Sequence, residues 1–205
     1  MTLASPALKI PMTYPSLPAD QRWPEQGRWS YEDYLRLPAD GKRYEIIDGV
    51  LYMANAPDFE HQQAVMALAG QLWNFAQAHQ LGVVLTAPFE VRLPGIAQPV
   101  QPDILFVSHE RRDIIKPKLI EGAPDLVVEV LSPSTARYDR KVKFDAYERA
   151  GVREYWIVNP RLRSVEVYAL MDNEYALHGE YGAGERVTSA VLVGLELATD
   201  MAFAA

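Results

Sequence analysis

The chain has 205 residues, 49% of them hydrophobic and 23% charged, with no cysteine and a formal net charge of −7. That length and composition suffice for one globular domain with a buried core, and the missing cysteines exclude disulfides and thiolate metal sites. The acidic balance argues against a broad non-specific nucleic-acid surface, which needs phosphate-neutralising Lys and Arg, but it is compatible with an acidic nuclease site. No apolar run approaches the ~20 residues that cross a bilayer. The N-terminus lacks a basic start followed by an apolar core, so a cytoplasmic location is expected.

Residues 1–27 hold five prolines (Pro6, Pro11, Pro15, Pro18 and Pro24) and no sustained periodicity. They are expected to form a flexible or loosely docked tail before a single domain over 28–205. Ser30 caps a short helix with YEDYLRL as its body, stopped by Pro38. KRYEIIDGVLYMA, 42–54, predicts a hairpin around Asp48-Gly49, a strong turn pair. A long helix over 59–80 follows, capped by Asp58, with Val65, Leu68, Leu72 and Ala76 at helical spacing. Residues 81–93 give one or two strands broken near Pro88, and DILFVS, 103–108, gives a short buried one. DLVVEVL, 125–131, a helix over 135–150 ended by Gly151, and EYWIVNP, 154–160, together make a β-α-β unit. Its strands are nearly continuous apolar runs, as in a sheet covered on both faces. Residues 164–170 and 174–178 predict a last hairpin. The fold class is therefore α/β, with a mixed sheet flanked by helices.

Three acids stand at strand positions among apolar neighbours: Glu45, Asp103 and Glu129. Asp103 could cap a turn, and Glu45 could face solvent on an edge hairpin. Glu129, inside VVEVL, demands a cation, a donor or a proton, because a lone buried carboxylate is costly. Asp and Glu together point to a hard divalent cation held by oxygen, Mg²⁺ or Mn²⁺. On the following helix, steps of about 100° per residue place Tyr138, Val142, Ala146 and Ala150 on one face. Asp139 falls within that face, Lys143 at its border, and Lys141 on the polar side. The spacing suits a lysine acting on water beside a metal. It equally suits a plain i,i+4 Asp139–Lys143 ion pair, worth about 0.3 kcal/mol. His61 lies on the apolar face of the long helix, where a satisfied core histidine is the commoner case, with the site lining as the other possibility. No zinc spacing, phosphate loop or nucleophile elbow is present. Trp73 and Trp156 sit in apolar patterns and are expected in the core, which disfavours a carboxylate-pair hydrolase with an aromatic sugar groove.

The ordered segments RYEIIDGVLYM, PDILFVS, GAPDLVVEVLSPST, DRKVKFDAYERAGVREYWIVNP and LVGLEL resemble the Uma-two family of restriction endonucleases, from about Tyr31 to the C-terminus. The resemblance implies a restriction-endonuclease-like core of the PD-(D/E)XK type and metal-dependent hydrolysis of DNA. It implies that Asp103 and Glu129 are metal ligands, that Glu45 contributes to the site, and that Lys143 is the helix lysine. A homodimer is expected by the same analogy, with strands after residue 160 as the candidate surface. One departure stands out. The motif lysine two residues after the second acid is Leu131 here, and alternate strand residues share a face, so Lys143 would have to enter from the neighbouring helix. The competing expectation is a catalytically inactive nuclease-fold binding or regulatory module.

Overall fold

The computed structural model describes residues 22–54 and 56–203, so most of the expected tail lies outside the described residues. Residues 22–27 run beside the first hairpin. Gly27 N–H donates to Gly49 O at 2.8 Å, Leu51 N–H donates to the Gln26 side chain at 2.7 Å, and Trp23 stacks on Trp29.

Helix α1 (Tyr31–Tyr34) starts at Ser30, which forms a capping box with Asp33. It is shorter than the sequence predicts. Leu37 N–H bonds to Tyr34 O, an i→i+3 contact that tightens the chain ahead of Pro38. Strands β1 (Arg43–Ile47) and β2 (Val50–Ala54) form the hairpin, with positive φ at both Asp48 and Gly49. Only glycine fits at 49, since a Cβ there would lie 2.5 Å from Gly27 O. Helix α2 (Phe59–Ala78) follows Asp58, whose carboxylate accepts from His61 N–H at 2.9 Å. It buries Val65, Leu68, Leu72 and Ala76 as expected. Trp73 is not core: it is 52% exposed, on the outward side of α2 with Phe59 and Met66.

The chain continues through β3 (Gly82–Thr86), β4 (Glu90–Leu93), β5 (Ala97–Val100), β6 (Ile104–Ser108), β7 (Leu119–Glu121) and β8 (Leu126–Val130). A π-helical turn, Tyr138–Lys143, leads into α3 (Phe144–Ala150), which ends at Gly151 in the left-handed conformation. Then come β9 (Glu154–Asn159), β10 (Ser164–Met171), β11 (Glu174–Tyr181), β12 (Arg186–Thr188), β13 (Glu196–Ala198) and α4 (Thr199–Phe203). One sheet has the order β11-β10-β9-β8-β6-β3, a second β2-β1-β5-β4-β7, and β12 pairs with β13. Strands β8 and β9 are parallel, as the β-α-β pattern requires, and their sheet neighbours are antiparallel.

The core divides by strand parity. Ile104, Phe106, Val128, Val130, Trp156 and Val158 face α2 and the C-terminal segment. Leu105, Val107, Val127, Tyr155 and Ile157 face the second sheet and α3. Glu129 belongs by alternation to the second face. Among the described residues no helix is long and apolar enough to cross a membrane.

Candidate active site

The register of β6 on β8 pairs Ile104 with Val128, which brings Asp103 opposite Glu129 on the same sheet face. Strand β1 contributes Glu45, the π-helical turn Asp139 and Lys143, and the first turn of α2 His61. All six line one pocket of about 280 Å³, with Arg43 also in its wall. The structure thus brings together every acid, lysine and histidine that the sequence singled out.

Lys143 is the hub. It is 5% exposed, and its ammonium lies 2.9 Å from Glu129 Oε1, 3.4 Å from Glu45 Oε1 and 3.7 Å from Asp139 Oδ1. The i,i+4 contact to Asp139 foreseen for this lysine is present, but the cross-element bond to Glu129 is the shorter. Tyr147 OH also donates to Glu129 Oε1 at 2.8 Å. Glu45 accepts from Tyr138 OH at 2.8 Å and from Gln101 N–H at 2.7 Å, so it is not solvent-facing. Asp103 Oδ2 accepts from Val130 N–H at 2.9 Å and contacts His61 Nε2 at 3.0 Å; Arg43 Nη1 stands 3.9 Å from Oδ1. His61 Nδ1 is buried and has no hydrogen-bond partner among the described residues.

The electrostatics follow from crowding. Four buried carboxylates face one buried lysine. Burial pushes Glu129 well above the ordinary glutamate value; Lys143 opposes that, and the charges of Asp103, Asp139 and Glu45 add to it. Burial likewise raises Asp139 to about 6 despite Lys143 and the Thr135 hydroxyl. For Asp103 burial also pushes up, but the His61 hydrogen bond, Lys143 and the Val130 N–H outweigh it and hold the carboxyl below its ordinary value. An ionised Asp103 has no proton to give, so His61 Nε2–H is the donor of that bond. Burial would lower Lys143, yet the surrounding carboxylates raise it above the ordinary lysine value, so it is a fixed cation.

Glu154 supplies an instructive contrast. It too is a fully buried glutamate in an apolar strand, but Trp156 Nε1–H, Ser189 OH, and the N–H groups of Ala190 and Val191 donate to it within 2.9 Å. It fastens the 189–192 loop, with no cation involved. Sequence reasoning did not single out Tyr138, Tyr147 or Arg43. Tyr138 read as an apolar helix-face residue, and the hydroxyls of both tyrosines, which usually find a partner when buried, were the available signal. Leu131 is buried in the cluster that holds Tyr138 and Tyr147.

A family profile described as "Putative restriction endonuclease", Uma2, matches residues 31–200. The chain is 26% identical over 176 residues to an uncharacterized protein of Synechocystis sp., covering 85% of this chain and 90% of that one. It is also similar to the crystal structure of "a putative nuclease belonging to DUF820" from Anabaena variabilis. The TM-score is 0.69 at 17% identity, over 85% of this chain and 97% of that one. At that identity the likeness carries the fold alone, a mixed α/β architecture.

Proposed function

The chain belongs to the Uma2 family of restriction-endonuclease relatives, and on that premise we propose that it is a metal-dependent endonuclease that hydrolyses phosphodiester bonds of DNA at the pocket of Asp103, Glu129, Lys143 and Glu45. The observation that supports this most is Lys143. It reaches Glu129 from the π-helical turn at 2.9 Å, on the strand face where Leu131 leaves no charge.

The donor set suits a hard divalent cation. Four buried carboxyl groups surround one lysine, and oxygen is the ligand that Mg²⁺ or Mn²⁺ prefers. Asp103 and Glu129 would hold it. Among the described residues no three His, Asp or Glu side chains stand together so as to hold a metal ion, so an ion here would rest on one or two carboxylates and keep several waters. The chemistry such a cation supplies is polarisation of a phosphoryl oxygen and acidification of water. Lys143, being permanently protonated, cannot accept the proton of the attacking water. It orients that water by donation and offsets charge on the phosphate in flight. Glu45 and Asp139 hold the ammonium in place. His61 fixes the rotamer of Asp103.

The test is cleavage of supercoiled plasmid and of single-stranded DNA with Mg²⁺ or Mn²⁺, beside Asp103→Asn and Glu129→Gln. Cleavage by the wild type, lost in both folded variants, supports the assignment. A folded wild type that is inert on both substrates, and that titration calorimetry finds metal-free, leaves a catalytically inactive binding or regulatory module, the reading that Leu131 favours.

A further inference from the structure

A second cavity, of about 880 Å³, opens beside the acidic pocket. The two share Arg43, Met53, Ala56, Pro57 and Gln101 in their walls, so they lie side by side. Its position follows from the second sheet. Arg43 begins β1, Glu90 begins β4, Lys118 immediately precedes β7, and Gln101 follows β5. In the order β1-β5-β4-β7, with β4 and β7 parallel and β5 antiparallel to both β1 and β4, these positions stand along one end of the sheet. Three strand spacings of ~4.8 Å make that end about 14 Å wide from Arg43 to Lys118.

The wall carries three cations, Lys42, Arg43 and Lys118, and two acids, Asp40 and Glu90. Both acids are hydrogen-bonded, and among the described residues Asp40 is also paired with a cation. Asp40 accepts from Tyr44 OH at 2.8 Å and pairs with Lys42 at 3.2 Å. Glu90 accepts from Tyr34 OH at 2.8 Å and Tyr31 OH at 3.3 Å. Arg43 makes only the 3.9 Å contact to Asp103, and Lys118 forms no ion pair among the described residues. Spare positive charge thus stands at both ends of a cavity that borders an acidic site, in a chain of net charge −7. Between those ends Phe89 and Tyr34 supply ring surface. Cations along a groove with aromatic side chains between them are what a single nucleic-acid strand needs: phosphates on the cations, a base against a ring.

We propose that this cavity seats the single-stranded DNA segment flanking the scissile phosphate, with its phosphates on Arg43 and Lys118 and a base against Phe89. The substrate class rests on the nuclease reading; the geometry does not. Arg43, in the wall of both cavities, passes the strand from this groove to the acidic pocket.

The experiment is fluorescence anisotropy of a short labelled single-stranded oligonucleotide with the full chain in EDTA, where no cleavage competes. Lys118→Glu and Phe89→Leu are compared with Arg186→Glu, on β12 in the separate β12–β13 pair, outside the cavity wall. Lys118→Glu should raise the Kd several-fold, and Lys118→Ala should flatten the dependence on log salt by about one unit. Phe89→Leu, which keeps the apolar volume, should also weaken binding, while Arg186→Glu should not. Equal weakening by Lys118→Glu and Arg186→Glu, wild-type affinity in Lys118→Glu, or binding of duplex alone would overturn the proposal. Cleavage is scored separately. A wild type that cuts DNA with a KM indifferent to Lys118→Glu removes the groove and keeps the nuclease. Lys118-dependent binding without cleavage under any cation keeps the groove and removes the nuclease.

Discussion

At the scale of single residues the site is a charge imbalance held together by Lys143. Removing that ammonium leaves buried carboxylates without their cation, a change that typically costs about 3–5 kcal/mol. Lys143→Met should therefore lower the denaturation midpoint markedly, and Glu129→Gln in the same chain should restore part of the loss. Chemical denaturation of the two single variants and the double variant checks this. Glu129→Gln alone keeps an acceptor for Tyr147 and relieves the crowding, so it should melt no lower than wild type while losing cleavage. Asp139 sets a pH dependence. Its folded-state value is about 6 against an ordinary 3.8. Between those values the folded chain holds a proton that the unfolded chain has released, so stability falls as pH rises through that window. Asp139→Asn should flatten this part of the profile; melting temperatures recorded across it, without divalent cation, give the answer. Glu129 and Glu154 mark what was legible here. Both are buried glutamates in apolar strands, and no local pattern separates them. The difference is the partners: four donors around one, a lysine and three more carboxylates around the other.

At the scale of elements the π-helical turn is decisive. Its i→i+5 bonding differs from the α-helical spacing the sequence predicts, and it buries Tyr138, Asp139 and Lys143 together while Arg140 and Lys141 stay outside. An α-helical count puts Lys143 only at the border of the buried face. Deleting the exposed Lys141 should convert the turn to α-helix and swing Tyr138 and Asp139 away from their partners. Helical circular dichroism should persist and cleavage should fail; retained cleavage would count against the turn's role. The long elements were readable because periodicity and caps coincide, as in α2 with Asp58 and β1–β2 with Asp48-Gly49. The short strands were not. Strand β5 holds Pro99, which has no N–H for a ladder, and β7, β12 and β13 have three residues each. Such strands exist because a neighbouring strand pairs with them, which no local propensity encodes.

At the scale of the whole molecule, two features invite measurement. A divalent cation that binds only the folded chain should stabilise it by about 2.7 kcal/mol at a hundredfold excess over Kd, and so raise the melting temperature. The shift should appear in wild type and vanish in Asp103→Asn and Glu129→Gln. Among the exposed large apolar side chains of the described residues, two groups stand out, Phe59, Met66 and Trp73 at seven-residue spacing along α2, and Leu162, Met171 and Leu177 around β10–β11; Leu35, Val193 and Met201 lie outside both. Sedimentation velocity tests the homodimer: Leu177→Glu should shift a dimer to monomer if the strands after residue 160 are the surface, and Trp73→Glu if α2 is.

Hydrophobic periodicity, caps and turn residues are local properties, so the chain alone placed the β-α-β unit, the first hairpin, α2 and the acids at 45, 103 and 129. Its ordered motifs also carried the family. Long-range packing was needed for the rest. Trp73 faces outward because the inner side of α2 is filled by Ala64, Leu68, Leu72 and Ala76. Lys143 meets Glu129 because a helix register and a strand register, set by different neighbours, converge. The strand-end groove of Arg43 and Lys118 joins residues 75 positions apart through the order of a sheet. Each of these depends on contacts between segments distant in sequence, whose geometry no single segment contains.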